Sequence, residues 1–176
     1  SYLETPIQTA FPLLIAFLPS IMGTNGNASD QTATVTVREL ALGNISTKNY
    51  FKAAFKEFRA SLLTSSILSV FAFGWMLLEL YTGMVSLTVK DTSLISVFGD
   101  KNVMFLTVSL LVSITFFITI VIAKMIGISL PVLAKAIHLD PAVMSQPVIS
   151  TILDILSIVV YFLLFQAIFV PILGVA

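Results

Sequence analysis

Four stretches of this chain carry the roughly 20 predominantly apolar residues that a helix needs to cross a bilayer core of about 30 Å. They run over about residues 7–43, 60–80, 103–123 and 148–171. Hydrocarbon offers no water to backbone N–H and C=O groups, so runs of this length and greasiness read as membrane-spanning helices. The chain has 176 residues, 57% of them hydrophobic and 10% charged. Soluble domains carry about 25% charged residues. The fold class expected is therefore all-α, a polytopic helical membrane protein.

The first stretch differs from the others. Its apolar part, over 7–23, is slightly short, and it continues as Thr24-Asn25-Gly26-Asn27-Ala28-Ser29-Asp30-Gln31. A straight helix over 7–43 would be about 55 Å long, too long for one upright span. A tilted helix, or one broken near 23–27, is expected.

The formal net charge is zero, and no basic stripe meets the phosphates of a nucleic acid, so nucleic acid is excluded as a partner. There is no Cys and one His, His138. Disulfides, thiolate zinc sites and multi-histidine metal sites within one chain fall away together. The opening residues lack a basic n-region and a cleavage site, so they are not read as a signal peptide. The chain reads as beginning between two hydrophobic elements.

Basic residues set the expected orientation in the cell membrane. Arg38, Lys48, Lys52, Lys56 and Arg59 surround the first connection, and Lys124 and Lys135 flank the third. The opposite side offers Lys90 and Lys101. The positive-inside bias makes the loops at about 43–59 and 124–146 cytoplasmic. Both termini and the loop over 81–102 then face outward. Residues 45–59, with Ser46 or Thr47 as cap and aromatics at Tyr50, Phe51, Phe55 and Phe58, suit a separate amphipathic helix in the inner interface. Asp140-Pro141 has the form of a helix start, and Ser145-Gln146-Pro147 opens the fourth span in the same way. Ser61, Ser65 and Ser69, like Ser109 and Ser113, read as small-residue packing seams. Trp75 and Tyr81 read as interface anchors, and His138 as an ordinary interfacial residue.

Asp154 is the residue out of place. It lies about 10 Å along the fourth span from Pro147, in a segment with no Lys or Arg. A charge there costs at least about 2.5–3.5 kcal/mol, so an intramembrane carboxylate is a functional candidate by default. Ser150, Asp154, Ser157 and Tyr161 share one helical face, with Thr151 beside them. The first span has its own polar stripe of Asn27, Gln31, Thr34 and Arg38, beside Asp30. Two such stripes can line a water path. Other roles are open to these residues. Asp154 could serve as hydrogen-bonding glue, Asp30 could cap a following helix, and Asn25 and Asn27 could be turn residues or could offer amide oxygens to an ion. Glu39, Glu57 and Asp140 read as solvated or paired charges near the inner interface. A donor set of carboxylate, amide and hydroxyl oxygens is hard, and suits Mg²⁺, Ca²⁺ or Mn²⁺. Mg²⁺ keeps several waters and needs only one or two carboxylates, which fits so sparse a site.

Gly26-Asn27-Ala28-Ser29-Asp30-Gln31, followed by Arg38-Glu39-Leu40-Ala41-Leu42-Gly43, resembles the glycine- and asparagine-rich signature of the MgtE family of magnesium transporters. Lys56-Glu57, Asp140-Pro141-Ala142, Ser145-Gln146-Pro147, Thr151, Asp154 and Tyr161-Phe162 resemble it in order and spacing. The resemblance implies a homodimeric channel conducting Mg²⁺ (magnesium), with the pore near the dimer interface, the aspartate at 154 on the ion site, and residues 27–31 on a pore-lining helix. Ser29-Asp30 stands where the family more often has Gly-Asn, which adds a negative charge to the path. The family's first span and cytosolic Mg²⁺-sensing region are expected to be absent from this chain, leaving 1–176 as a single ion-conducting domain in the lipid bilayer.

The metal-site candidates are therefore Asp154, Asp30, Asn27, Gln31, Thr151 and Ser150, and no enzymatic activity is expected. Rival readings are a carrier of Mn²⁺ or Ca²⁺, a proton-coupled exchanger using Asp154, an intramembrane aspartyl protease using Asp30 and Asp154, and a non-transporting scaffold.

Overall fold

The computed structural model describes residues 4–83 and 99–172, with side chains over 15–83, 99–142 and 148–168. Among the described residues it is all helix: α1 Glu4–Ala41, α2 Tyr50–Thr82, α3 Lys101–Ala136 and α4 Pro141–Ile172. Tyr50–Thr82, Lys101–Ala136 and Val148–Ile168 are each long and apolar enough to cross a membrane. Residues 7–14 of the apolar part of α1, over 7–23, have side chains outside the described set.

Several helix ends are set by recognisable local signals. Asp100 caps α3 by accepting from the Asn102 N–H at 3.1 Å, and Asp140 caps α4 by accepting from the Ala142 N–H at 2.9 Å. At the end of α1, Gly43 sits at φ +78°. The Gly43 N–H reaches the Leu40 carbonyl and the Asn44 N–H reaches that of Glu39, so the left-handed glycine closes the helix with two orphan carbonyls satisfied. His138 takes the left-handed position after α3.

Two sequence expectations are corrected, and the open choice of a tilted or broken first span is narrowed. α1 is a single helix of 38 residues, about 57 Å long, with no break at 23–27. Gly23, Asn25, Gly26 and Asn27 all lie within it. Residues 45–59 do not form a separate interfacial helix: 50–59 are the opening turns of α2, with Asn49 at the N-cap position. α4 begins at Pro141 and runs through Ser145-Gln146-Pro147, which therefore opens no new helix. In each case nothing in the chain competes strongly enough to leave backbone groups unpaired at membrane depth. The loop over 81–102, with Lys90, expected from the sequence to face outward, lies mostly outside the described residues.

α3 is the centre of the bundle. In its apolar stretch 56% of residues are buried, against 17% for α2 and 28% for α4. It packs against α1, α2 and α4, while α1 also packs against α4. Phe17, Ile21, Leu111, Val112, Ile120 and Tyr161 belong to one apolar cluster, and Ala33, Ala123, Ile149 and Leu153 form a second. Tyr81 Oη donates to Asn102 Oδ1 at one end of the α2–α3 pair, and Tyr50 meets Ser129 at the other, so these helices are antiparallel. The α1–α2 and α3–α4 turns come to the same end, where Lys135 Nζ donates to the Leu40 carbonyl at 2.7 Å. Ser61, Ser65, Ser69, Ser109 and Ser113 are all buried, as packing seams require.

Gly127 decides how closely α1 can lie on α3. A Cβ at this position would stand 2.6 Å from the Ser29 carbonyl oxygen and 3.1 Å from Thr32 Cβ. A backbone oxygen cannot swing aside as a side-chain tip can. Gly127→Ala should therefore push the two helices apart and destabilise the bundle by about 1–3 kcal/mol, the usual cost of overpacking. Equilibrium unfolding of the purified protein in detergent micelles measures this, and unchanged stability would contradict the close contact.

Candidate ion site

α4 buries a stripe of five residues at i+4 spacing, Ile149, Leu153, Ser157, Tyr161 and Phe165. The face expected to carry Ser150, Asp154, Ser157 and Tyr161 is thereby divided. Ser157 and Tyr161 are buried, while Ser150 and Asp154 lie half-buried at the edge of the stripe. Thr151 is exposed further round the helix.

α1 does the same in its own register. Ile21, Asn25, Ala28, Thr32 and Thr36 are buried, whereas Asn27, Gln31, Thr34 and Arg38 form an exposed stripe. Asn25, which the sequence left as a turn residue or an ion-facing amide, is helical and fully buried. Its Nδ2 donates to Ser157 Oγ at 2.7 Å, joining α1 to α4. Asn25 Oδ1, Tyr161 Oη and Asp30 Oδ1 are buried without a protein partner.

The Asn25–Ser157 bond fixes the relative depth of the two intramembrane carboxylates. α1 and α4 are antiparallel, because Ala33 packs with Ile149 and Leu153 while Asn25 meets Ser157. Counting from that bond toward the turn end, Asp30 lies about 7.5 Å along α1 and Asp154 about 4.5 Å along α4. Asp30 and Asp154 are thus held at nearly the same level on two helices in contact. Among the described residues neither has a basic partner, since the ion pair that forms is Lys124–Glu57. Nor do any three His, Asp or Glu side chains among them cluster closely enough to cage a metal. What this arrangement can do is attract a cation that keeps most of its own water.

At the turn end, a cavity of about 630 Å³ opens between α1, α2 and α3. Gln31, Thr32, Glu39, Lys56, Glu57 and Lys124 are among the residues lining it. Glu57 Oε1 accepts from Lys124 Nζ at 3.0 Å and from Thr32 Oγ1 at 3.1 Å, so one carboxylate ties three helices. The pairing expected for Glu57 is present, with a partner 67 positions away. Glu39 accepts from Asn44 Nδ2 at 2.8 Å.

Long apolar helices enclosing a polar seam define a polytopic helical membrane protein. Residues 18–164 match the MgtE family model, described as a divalent cation transporter, and the chain belongs to that family. It is 26% identical over 162 residues to the magnesium transporter MgtE of Bacillus subtilis (strain 168), covering 92% of this chain and 31% of that protein. It is 25% identical over 155 residues to the magnesium transporter MgtE of Thermus thermophilus, covering 88% of this chain and 29% of the relative. With the magnesium transporter MgtE of Enterococcus faecalis it shares 28% identity over 152 residues, 85% of this chain and 28% of the other. The chain thus spans about a third of the length of these curated relatives. The family is one of transporters and not of enzymes, which sets aside the protease reading of Asp30 and Asp154.

If the Asn25–Ser157 bond holds α1 against α4, the two side chains should be energetically coupled. A double-mutant cycle with Asn25→Ala and Ser157→Ala is expected to give about 0.6–2 kcal/mol, the range for hydrogen bonds between membrane helices. Strictly additive effects on unfolding in micelles would remove the bond from the account.

Proposed function

We propose that residues 1–176 form a single transmembrane domain that conducts Mg²⁺ into the cell, with Asp154 as its central ion-attracting carboxylate. Asp30, Asn27, Gln31, Ser150 and Thr151 line the same path and contact the ion or its waters. The observation that carries this reading is the unpaired, half-buried Asp154 at the depth of Asp30, in a chain of a divalent cation transporter family.

Physical chemistry supports a hydrated divalent ion here. A carboxylate in hydrocarbon needs a counter-charge, and Mg²⁺ binds through one or two carboxylates while retaining waters. Inward movement needs no chemical step. The membrane potential supplies about 2.3 kcal/mol per charge per 100 mV, and a divalent ion feels roughly twice that. Asn27, Gln31 and Thr34 are exposed on a single chain. Amides facing lipid are costly, which supports a second copy of the chain covering this stripe in a homodimer. The basic residues gathered at the turn end support a cytoplasmic placement for the loops at 43–59 and 124–146. That leaves the termini of this chain on the outer side.

Asp154→Ala should abolish Mg²⁺ uptake into proteoliposomes while the protein remains monodisperse in detergent. Undiminished flux would overturn the role of Asp154. The extra carboxylate Asp30 should tune ion preference. Asp30→Asn is expected to shift the competition of Mn²⁺ and Ca²⁺ against Mg²⁺ by several-fold, and superimposable competition curves would remove Asp30 from the path.

A further inference from the structure

The opening turns of α2 carry charge that the bundle does not use. Lys52, Lys56 and Arg59 are exposed, and among the described residues none of them is ion-paired. The acidic residue in this stretch, Glu57, points the other way, to Thr32 and Lys124. The three cations occupy positions i, i+4 and i+7, which is one helical face. The same face continues through Leu63, Ile67 and Val70, which are 71%, 69% and 73% exposed. An open groove of about 720 Å³ runs across the junction, lined by Lys52, Phe55, Lys56, Arg59, Leu62 and Leu63. Phe51 and Phe55 stand exposed beside it.

We propose that this stripe is a binding site for one anionic phospholipid. The phosphate sits among Lys52, Lys56 and Arg59, and an acyl chain lies along Leu63, Ile67 and Val70. The dimensions agree. From Arg59 to Val70 is about 16 Å along the helix, close to the roughly 15 Å hydrocarbon depth of one leaflet. A basic end followed at once by an exposed aliphatic run has the polarity order of a lipid, head first and then tail. It does not fit a soluble polyanion, which has nothing to lay on the aliphatic run. A second copy is also a poor occupant, because a two-fold interface would set these cations against their own equivalents. Lys52 and Arg59 line this groove and not the turn-end cavity, which Lys56 also borders, so Lys52 and Arg59 separate lipid binding from the ion path.

Native mass spectrometry of the purified protein, offered phosphatidylglycerol against phosphatidylcholine, tests it. The unaltered protein should retain phosphatidylglycerol selectively. Each neutralised Lys or Arg should weaken that preference by about fivefold, so K52Q/K56Q/R59Q should lower it tenfold or more. These side chains are exposed, and if the triple variant fails to fold, the single K52Q variant should still show its fivefold loss. The charge-conserving K52R/K56R variant should keep the preference, and excess glycerol phosphate should not displace the lipid. Unchanged selectivity after charge removal would overturn the proposal. So would displacement by glycerol phosphate, which marks a soluble-anion site, or a change in oligomeric mass with lipid retention intact, which marks a protein interface.

Discussion

Hydrocarbon cannot solvate a hydroxyl, an amide or a charge, and leaving one there without a partner costs several kcal/mol. The bundle is arranged around that penalty. Ser113, Thr115 and Thr119 donate to carbonyls one turn back in α3, and Thr36 does the same in α1, while the single Thr32 hydroxyl proton lies between the Ala28 carbonyl and Glu57. The helices hide polar side chains by spending them on their own backbone. Where this is not possible, a second helix supplies the partner. Asn25 reaches Ser157 in this way, and with that contact α1, the most polar helix, is seated against α4. Seating it also needs space, which α3 provides by having no side chain at Gly127.

The spans were legible from hydropathy because length and greasiness are properties of a segment alone. The continuity of α1 was not. Gly23, Asn25, Gly26 and Asn27 are turn residues in water, where a broken helix can be re-solvated. Inside a membrane the same residues stay helical, because a break there exposes backbone groups to oil. The same logic fuses 50–59 to the span that follows: no Gly or Pro lies between Tyr50 and Leu63 to stop the helix.

Side-chain roles were legible to the extent that they depend on helical phase. The face that joins Ser157 and Tyr161 to Asp154 follows from spacing, but which side of that face meets α1 depends on the neighbours. Asn25 and Asn27 show the same limit. They are two residues apart, about 200° round the helix, so one is sealed in the interior while the other is exposed. The ordinary apolar pattern through Ile21, Ala28 and Ala33 contains the signal that Asn25 faces inward. The Glu57–Lys124 pair had no local signal, since its members lie on different helices.

Two sets of basic side chains near the turn end differ in how they are used. Lys124 and Lys135 are committed to the protein, one to Glu57 and the other to the Leu40 carbonyl, and both clamp the turn end of the bundle. The side chains of Lys124 and Glu57 are only 13% and 24% exposed. Removing either would strand the other in poor solvent, which makes such a pair a constraint on geometry more than a source of stability. Lys52, Lys56 and Arg59 have no such commitment, and neither do Asp30 and Asp154. Unlike Glu57, the two aspartates on α1 and α4 have no basic partner among the described residues. In the proposals made above, the counter-charges come from outside the chain: cations for the two aspartates, and lipid phosphate for the stripe on α2. The two aspartates lie on α1 and α4 and the stripe on α2, with Lys56 the member of the stripe that also borders the turn-end cavity.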